Sequence, residues 1–384
     1  MEDILIAAPA PEPVRSHPLV PPAPPAYRPC LRPIRPYVPG GSAEDVAARH
    51  APERISKLAS NENPLGPGPL ALEAVRNQAA ALSVYPDAAC AELAAALASH
   101  TGMRPGNFLI GNGSDEVLML LAATYLNPGD RALVGSRTFF NYEFVARLFD
   151  AEVVTVPAQA MRYDLPGFAA AADARARMIF LCNPNNPTGL HFTHDELAAF
   201  LAAVPRQAVI VVDEAYLEYV DAPDFPDTLA LMERHPNLVV TRTFSKAHGL
   251  AALRVGYAIA SEAVIADARR TRMPFSVNLL AQKAAVAALR DRDHLDRTLR
   301  MNREGKASLA LRLRALGCEV LPSQANFLCF RPPWPADRVC DHLLRDGVIV
   351  RPLSRFGLDG WIRVTVGRPD QNGHFLSGLS RFRG

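Results

Sequence analysis

Between residues 108 and 241 the chain carries six short apolar runs separated by helical stretches or loops: Phe108-Leu109-Ile110, Ala132-Leu133-Val134, Val153-Val154-Thr155-Val156, Met178-Ile179-Phe180-Leu181, Val209-Ile210-Val211-Val212 and Leu238-Val239-Val240-Thr241. Most of these runs are apolar throughout rather than alternating with polar residues, so both faces of the strands they form must be covered. Such strands, joined by helical crossovers, build a mostly parallel sheet in an α/β fold with helices on both sides. Open sheets of that kind bind ligands beyond the carboxyl ends of their strands. The residues just after each run therefore carry most of the functional information.

Helical spacing predicts helices over 69–81, 90–100 and 117–126, and one long helix over roughly 277–316. Shorter strands at 319–321, 326–330, 348–351 and 361–366 follow, forming a smaller C-terminal α/β layer. Nine of the first thirty residues are proline and no Phe, Tyr or Trp precedes Tyr27. That composition neither forms a helix nor buries a core. The chain accordingly divides into a Pro-rich mobile tail (1–30), an N-terminal arm (31–60), a large domain (61–275) and a small C-terminal domain (276–384).

Hydrophobic residues make up 49% of the 384 residues and charged residues 21%, which excludes disorder throughout. A formal net charge of +2 and the lack of a Lys/Arg block point to neither a nucleic-acid nor a membrane partner. Six cysteines occur without a C-x-x-C pair, several inside apolar runs. They read as reduced thiols of a cytoplasmic protein, and no metal site is expected. The acidic start Met-Glu-Asp is unlike a secretory signal, and no apolar run reaches the roughly 18 residues of a membrane-spanning helix.

Four segments follow the apolar runs in order: Asn183 to Gly189, Asp213-Glu214-Ala215-Tyr216, Ser245-Lys246, and Arg254. An apolar strand ending in two acids also suits the magnesium-holding element of a P-loop NTPase, but the G-x-x-x-x-G-K-[ST] loop that reading needs is absent. The series instead describes a pyridoxal phosphate site. A strand-end aspartate can keep a pyridine ring protonated, so that the ring accepts electrons from a bond breaking at Cα. A buried lysine has the lowered pKa that a nucleophile and proton carrier needs. Arg254 offers a planar fork for phosphate. Gly111-Asn112-Gly113-Ser114-Asp115-Glu116 opens the helix at 117–126, and a glycine loop at a helix start presents free N–H groups to an anion. Ser114 or Asp115 could equally serve only as an N-cap.

Together these motifs resemble the fold-type I pyridoxal phosphate enzymes of the class II aminotransferase group, most closely the histidinol-phosphate aminotransferase family. The match runs over roughly residues 34 to 368. It includes Pro36-Tyr37, the stretch from Leu58 to Pro67, Tyr85-Pro86-Asp87, Leu253-Arg254-Val255-Gly256-Tyr257, Gln324-Ala325-Asn326-Phe327 and Arg363-Val364-Thr365-Val366-Gly367. The resemblance implies that Lys246 holds the cofactor as an aldimine, that Asp213 meets the pyridine nitrogen, and that Asn186 and Tyr216 meet the ring hydroxyl. Phe139 would stack on the ring. Gly113, Ser114, Asp115, Ser245 and Arg254 would surround the phosphate, joined across a homodimer interface by Tyr85 of the second subunit. Lys246, Asp213 and Tyr216 would be catalytic. Arg363 would clamp the substrate α-carboxylate, Tyr37 and Arg351 would lie near the substrate side chain, and Asn326 would also bind substrate. A small-molecule amino donor and a 2-oxo acid would be the partners.

The chain departs from the family pattern at Phe140-Asn141, where Ser-Met is common, at His248, where phenylalanine is common, and at Ala252, where glycine is common. Phe140-Asn141 would alter the substrate-side wall, and His248 either takes part in proton transfer or packs against the next strand. Three other functions share these residues: an aromatic amino-acid aminotransferase, a decarboxylase, oxidase or lyase with the same cofactor, and a non-catalytic cofactor-binding protein. Retention of both Lys246 and Asp213 argues against the last.

Overall fold

A computed structural model describes residues 26–34 and 43–383. The expected mobile tail lies outside the described residues up to position 25, as does Tyr37; Pro29–Leu31 forms one 3-10 turn.

After the short strand β1 (Ser56–Lys57) comes a central sheet of seven strands. These are β2 (Phe108–Gly111), β3 (Arg131–Gly135), β4 (Glu152–Val156), β5 (Ala176–Cys182), β6 (Val209–Asp213), β7 (Leu238–Thr243) and β8 (Gly256–Ile259), in the order β2-β8-β7-β6-β5-β3-β4. All six predicted runs are strands of this sheet. β8 was not predicted. It lies between β2 and β7, antiparallel to both, so the sheet is mixed but mostly parallel. Four residues beginning with glycine give little signal, yet the glycine is required: a Cβ at Gly256 would lie 2.5 Å from the backbone nitrogen of Ser114.

Strand side chains alternate between two cores. Ile210, Val212, Leu238 and Val240 pack with helices Pro69–Gln78, Ala91–Thr101 and Leu279–Arg290, whereas Val209, Val211 and Val239 pack with helices Ser114–Tyr125 and Asn141–Leu148. Burying a side chain of this size stabilises by about 1.5–3 kcal/mol, so both faces hold the sheet in place. The five parallel strands and β2 all direct their carboxyl ends to one edge.

The smaller sheet contains β9 (Glu319–Val320), β10 (Phe327–Arg331), β12 (Arg351–Pro352) and β13 (Ile362–Thr365), antiparallel in the order β12-β13-β10-β9. β11 (Val348–Ile349) instead pairs in parallel with β1. The predicted strand over 348–351 is thus two strands in two sheets, divided at Val350. The predicted long helix is also two, Leu279–Arg290 and Arg292–Ala315. Asp291 separates them because its carboxylate accepts from the backbone N–H of His294 and of Leu70, each at 3.2 Å, which caps the second helix and ties it to the first turn of Pro69–Gln78. The helix expected over 117–126 begins earlier, at Ser114, with Gly113 as its N-cap and no side-chain cap.

Candidate active site

At the carboxyl edge of the central sheet two adjoining cavities share Ser60, Phe139, Asn186, Tyr216 and Lys246. The first, about 250 Å³, is also lined by Ser114, Asp115, Asp213, Ser245 and Arg254. The second, about 160 Å³, is also lined by Phe140, Arg351, Phe356 and Arg363. Lys246 therefore stands where two differently furnished compartments meet.

Asp213 is the last residue of β6 and its carboxylate is buried among apolar strands. Burial pushes its pKa up to about 6, although the Tyr142 hydroxyl opposes the rise by donating to Oδ2 at 2.7 Å. Its Oδ1 has no hydrogen-bond partner among the described residues. A buried carboxylate oxygen left unpaired fits a donor supplied from the cavity, such as a protonated pyridine nitrogen. Lys246 follows β7 on a tight turn. Burial and the nearby Arg363 guanidinium lower its amine to about 8; Nζ donates to the Ser60 carbonyl at 3.3 Å and lies 5.7 Å from the Tyr216 ring centroid. The Tyr216 hydroxyl accepts from Asn61 Nδ2 at 2.9 Å.

The opposite wall of the first cavity carries groups that could hold an anion. The start of helix Ser114–Tyr125 presents backbone N–H groups, and Arg254 lies so close that a Cβ on Gly113 would be 2.5 Å from Nη2. Arg254 Nη1 donates to Ser245 Oγ at 3.4 Å, and Nη2 donates to Asp115 Oδ2 at 3.2 Å. In the second cavity Arg363 is buried, donating through Nη2 to the Ala59 carbonyl at 2.7 Å and through Nη1 to Asn186 Oδ1. It is not a solvent-facing strand residue. Its neighbours Ile362 and Val364 point into the small-sheet core, as the strand period requires. Arg351 stands directly opposite Arg363 on β12.

Three residues noted in the sequence line neither cavity of their own chain. Asn326 lines neither cavity; its Nδ2 donates to the Asn61 carbonyl at 3.0 Å, supporting the segment that carries Asn61. Tyr85 is 79% exposed and stacks on Phe275 with ring centroids 4.7 Å apart, away from its own chain's cavities. His248 is buried outside both, its ring 5.0 Å from that of Phe244 and its Nε2 3.7 Å from Glu218 Oε1. Its ring thus packs beside Phe244, which follows the preceding strand β7.

Tyr142 was not singled out by the motifs, although it is fully buried and meets Asp213 directly. The available signal was its spacing: it follows Phe139 by one helical turn, and the two rings pack edge to face at 5.6 Å. Glu62 and Ser60 also line the first cavity unpredicted.

A family model for aminotransferase class I and II matches residues 53–379. The chain belongs to that family. Among its relatives, the histidinol-phosphate aminotransferase of Symbiobacterium thermophilum is 46% identical over 92% of this chain and 98% of its own, and that of Moorella thermoacetica is 44% identical over 92% of each. The crystal structure of histidinol-phosphate aminotransferase from Sinorhizobium meliloti, in complex with pyridoxal-5'-phosphate, superposes with a TM-score of 0.84 at 28% identity, covering 92% of this chain and 96% of that one. L-threonine-O-3-phosphate decarboxylase from Porphyromonas gingivalis shares the fold alone, at a TM-score of 0.74 and 24% identity over 85% of this chain and 98% of that one. The aminotransferase is thus a fold-type I enzyme. Among the described residues no helix is long and apolar enough to cross a membrane.

Proposed function

We propose that this aminotransferase moves an amino group from histidinol phosphate to 2-oxoglutarate, using pyridoxal phosphate held around Lys246. The observation that carries the reading is the position of Lys246 between the two cavities, with an anion cup and an unpaired carboxylate oxygen on one side and Arg351 and Arg363 on the other. The names of the relatives supply the particular donor.

Lys246 would bind the cofactor covalently, Asp213 would hold its ring nitrogen, and Asn186 with Tyr216 would hold its ring hydroxyl. Phe139 would cover the ring, and the helix start at Gly113 and Ser114, with Ser245 and Arg254, would hold its phosphate. Pyridoxal phosphate, when bound, supplies an electron-accepting ring that stabilises charge developing at the donor's Cα. The protein directs that chemistry. Lys246, with an amine near pKa 8, is partly neutral at physiological pH and is suited to take the proton from Cα and return it. Arg351 and Arg363 hold an anion at the far end, a phosphate in one half-reaction and a carboxylate in the other.

Exposed Leu82, Val84, Tyr85, Met273 and Phe275 cluster around the Tyr85–Phe275 stack. A second copy covering this patch would make the homodimer and bring Tyr85 to the partner's phosphate cup. All six cysteines are free, in keeping with a cytoplasmic enzyme.

A donor panel with 2-oxoglutarate tests the function. Histidinol phosphate is expected to exceed phenylalanine in kcat/KM by at least about tenfold, or about 1.4 kcal/mol. Phe140 and Phe356 in the second cavity give an aromatic donor its own support. A preference for phenylalanine or tyrosine would move the enzyme to that reading, and carbon dioxide release without keto-acid formation would remove the transamination.

A further inference from the structure

Asp115 poses a problem for an anion cup, since its carboxylate lines the cavity that would receive a phosphate. Like charges repel across such distances unless one is held and neutralised by partners. Two partners are present. Arg254 Nη2 donates to Oδ2 at 3.2 Å, and Asn141 Nδ2 donates to Oδ1 at 2.9 Å.

Asn141 opens helix Asn141–Leu148, and its side chain is buried although neighbouring Phe140 is 44% exposed and faces the second cavity. Capping does not explain it, because the N-cap of that helix is Phe140 and no side-chain cap is formed. The amide instead reaches helix Ser114–Tyr125, and a continuous chain of hydrogen bonds runs from Asn141 through Asp115 and Arg254 to Ser245. Each oxygen of the Asp115 carboxylate has one side-chain donor, which biases its orientation, and the carboxylate in turn holds one arm of the Arg254 guanidinium beside the cup.

We infer that Asn141 is a positioning residue for the phosphate subsite, acting through Asp115 on Arg254. The inference rests on the cavity taking pyridoxal phosphate. A donor amide suits this place because it stabilises the carboxylate without adding charge. Asp115 is half exposed, so an apolar side chain would leave Oδ1 to water, which pairs with it without fixing its direction, and the carboxylate could turn toward the phosphate. An acid would set two carboxylates side by side.

The test compares two ligands on cofactor-free protein: pyridoxal phosphate, and pyridoxal, which has the same ring without the phosphate. N141L is expected to raise the Kd for pyridoxal phosphate about tenfold while changing that for pyridoxal by less than about twofold, and N141D is expected to raise the former further. N141A, which inserts no bulk, carries the same comparison if N141L does not fold. The double variant D115A/N141L should bind pyridoxal phosphate no more weakly than D115A alone, because Asn141 acts only through Asp115. Equal loss for both ligands, no loss for either, or additive losses in the double variant would overturn the role of Asn141. A wild-type protein that binds pyridoxal phosphate no better than pyridoxal would overturn the phosphate cup itself.

Discussion

Replacing Asp213 by asparagine should stabilise the cofactor-free enzyme while weakening the loaded one. In the folded chain the carboxyl titrates at about 6, against an ordinary value of 3.8, because burial penalises its charge. The sign follows from proton linkage: the native state holds this proton more tightly than the unfolded chain, so the stability it lends is fully present below about pH 3.8 and is lost as pH rises through about 6. The corresponding free energy is about 3 kcal/mol at the plateau. With an unfolding entropy of about 2.1 cal/mol/K per residue over 384 residues, that becomes about 4 °C in Tm. An uncharged amide can still accept from Tyr142 but carries no such penalty. The assay is the melting temperature of cofactor-free wild type and D213N from pH 4 to 8. The two curves should converge at the acid end and separate through pH 6, with D213N the more stable above it. Cofactor affinity of D213N should fall at the same time, since an amide cannot hold a pyridine protonated. A Tm difference that is constant across the range, or one that favours wild type at pH 7, would refute the account of Asp213 as a buried charge awaiting a partner.

Y142F removes the hydroxyl that opposes the rise in the Asp213 pKa, at a cost of about 1.5–3 kcal/mol for a hydrogen bond to a charged group; the separation between wild type and D213N should shift above pH 6 when measured in the Y142F background. K246M should abolish turnover and the borohydride-trapped label on residue 246. Because Lys246 titrates at about 8 when folded and 10.5 otherwise, the unfolded chain binds more protons between those values, and cofactor-free wild type should gain stability across that window while K246M does not.

The legible part of the site was its linear part. β5, β6 and β7 announce themselves by apolar runs, and the residues that follow them, Asn186, Asp213 and Lys246, come together because parallel neighbours must end at one edge. Tyr142 was less visible, since what brings it to the site is the 2.7 Å contact with a strand-end residue 71 positions away. The break at Asp291 was hidden for a similar reason. An aspartate within a helical pattern becomes an N-cap here because it also serves the backbone of Leu70, which no local spacing reports.

The sequence by itself determined six of the seven strands of the central sheet and the family, because apolar periodicity and motif order are properties of the chain alone. Only the tertiary structure decided that Lys246 lies at the junction of two cavities and that Arg363 is buried opposite Arg351. It likewise separated the adjacent Phe140 and Asn141, sending one toward the second cavity and the other to Asp115. The physical reason is that burial and hydrogen bonding are set by elements far apart in sequence. The same asparagine on a helix open to water would have no carboxylate to hold.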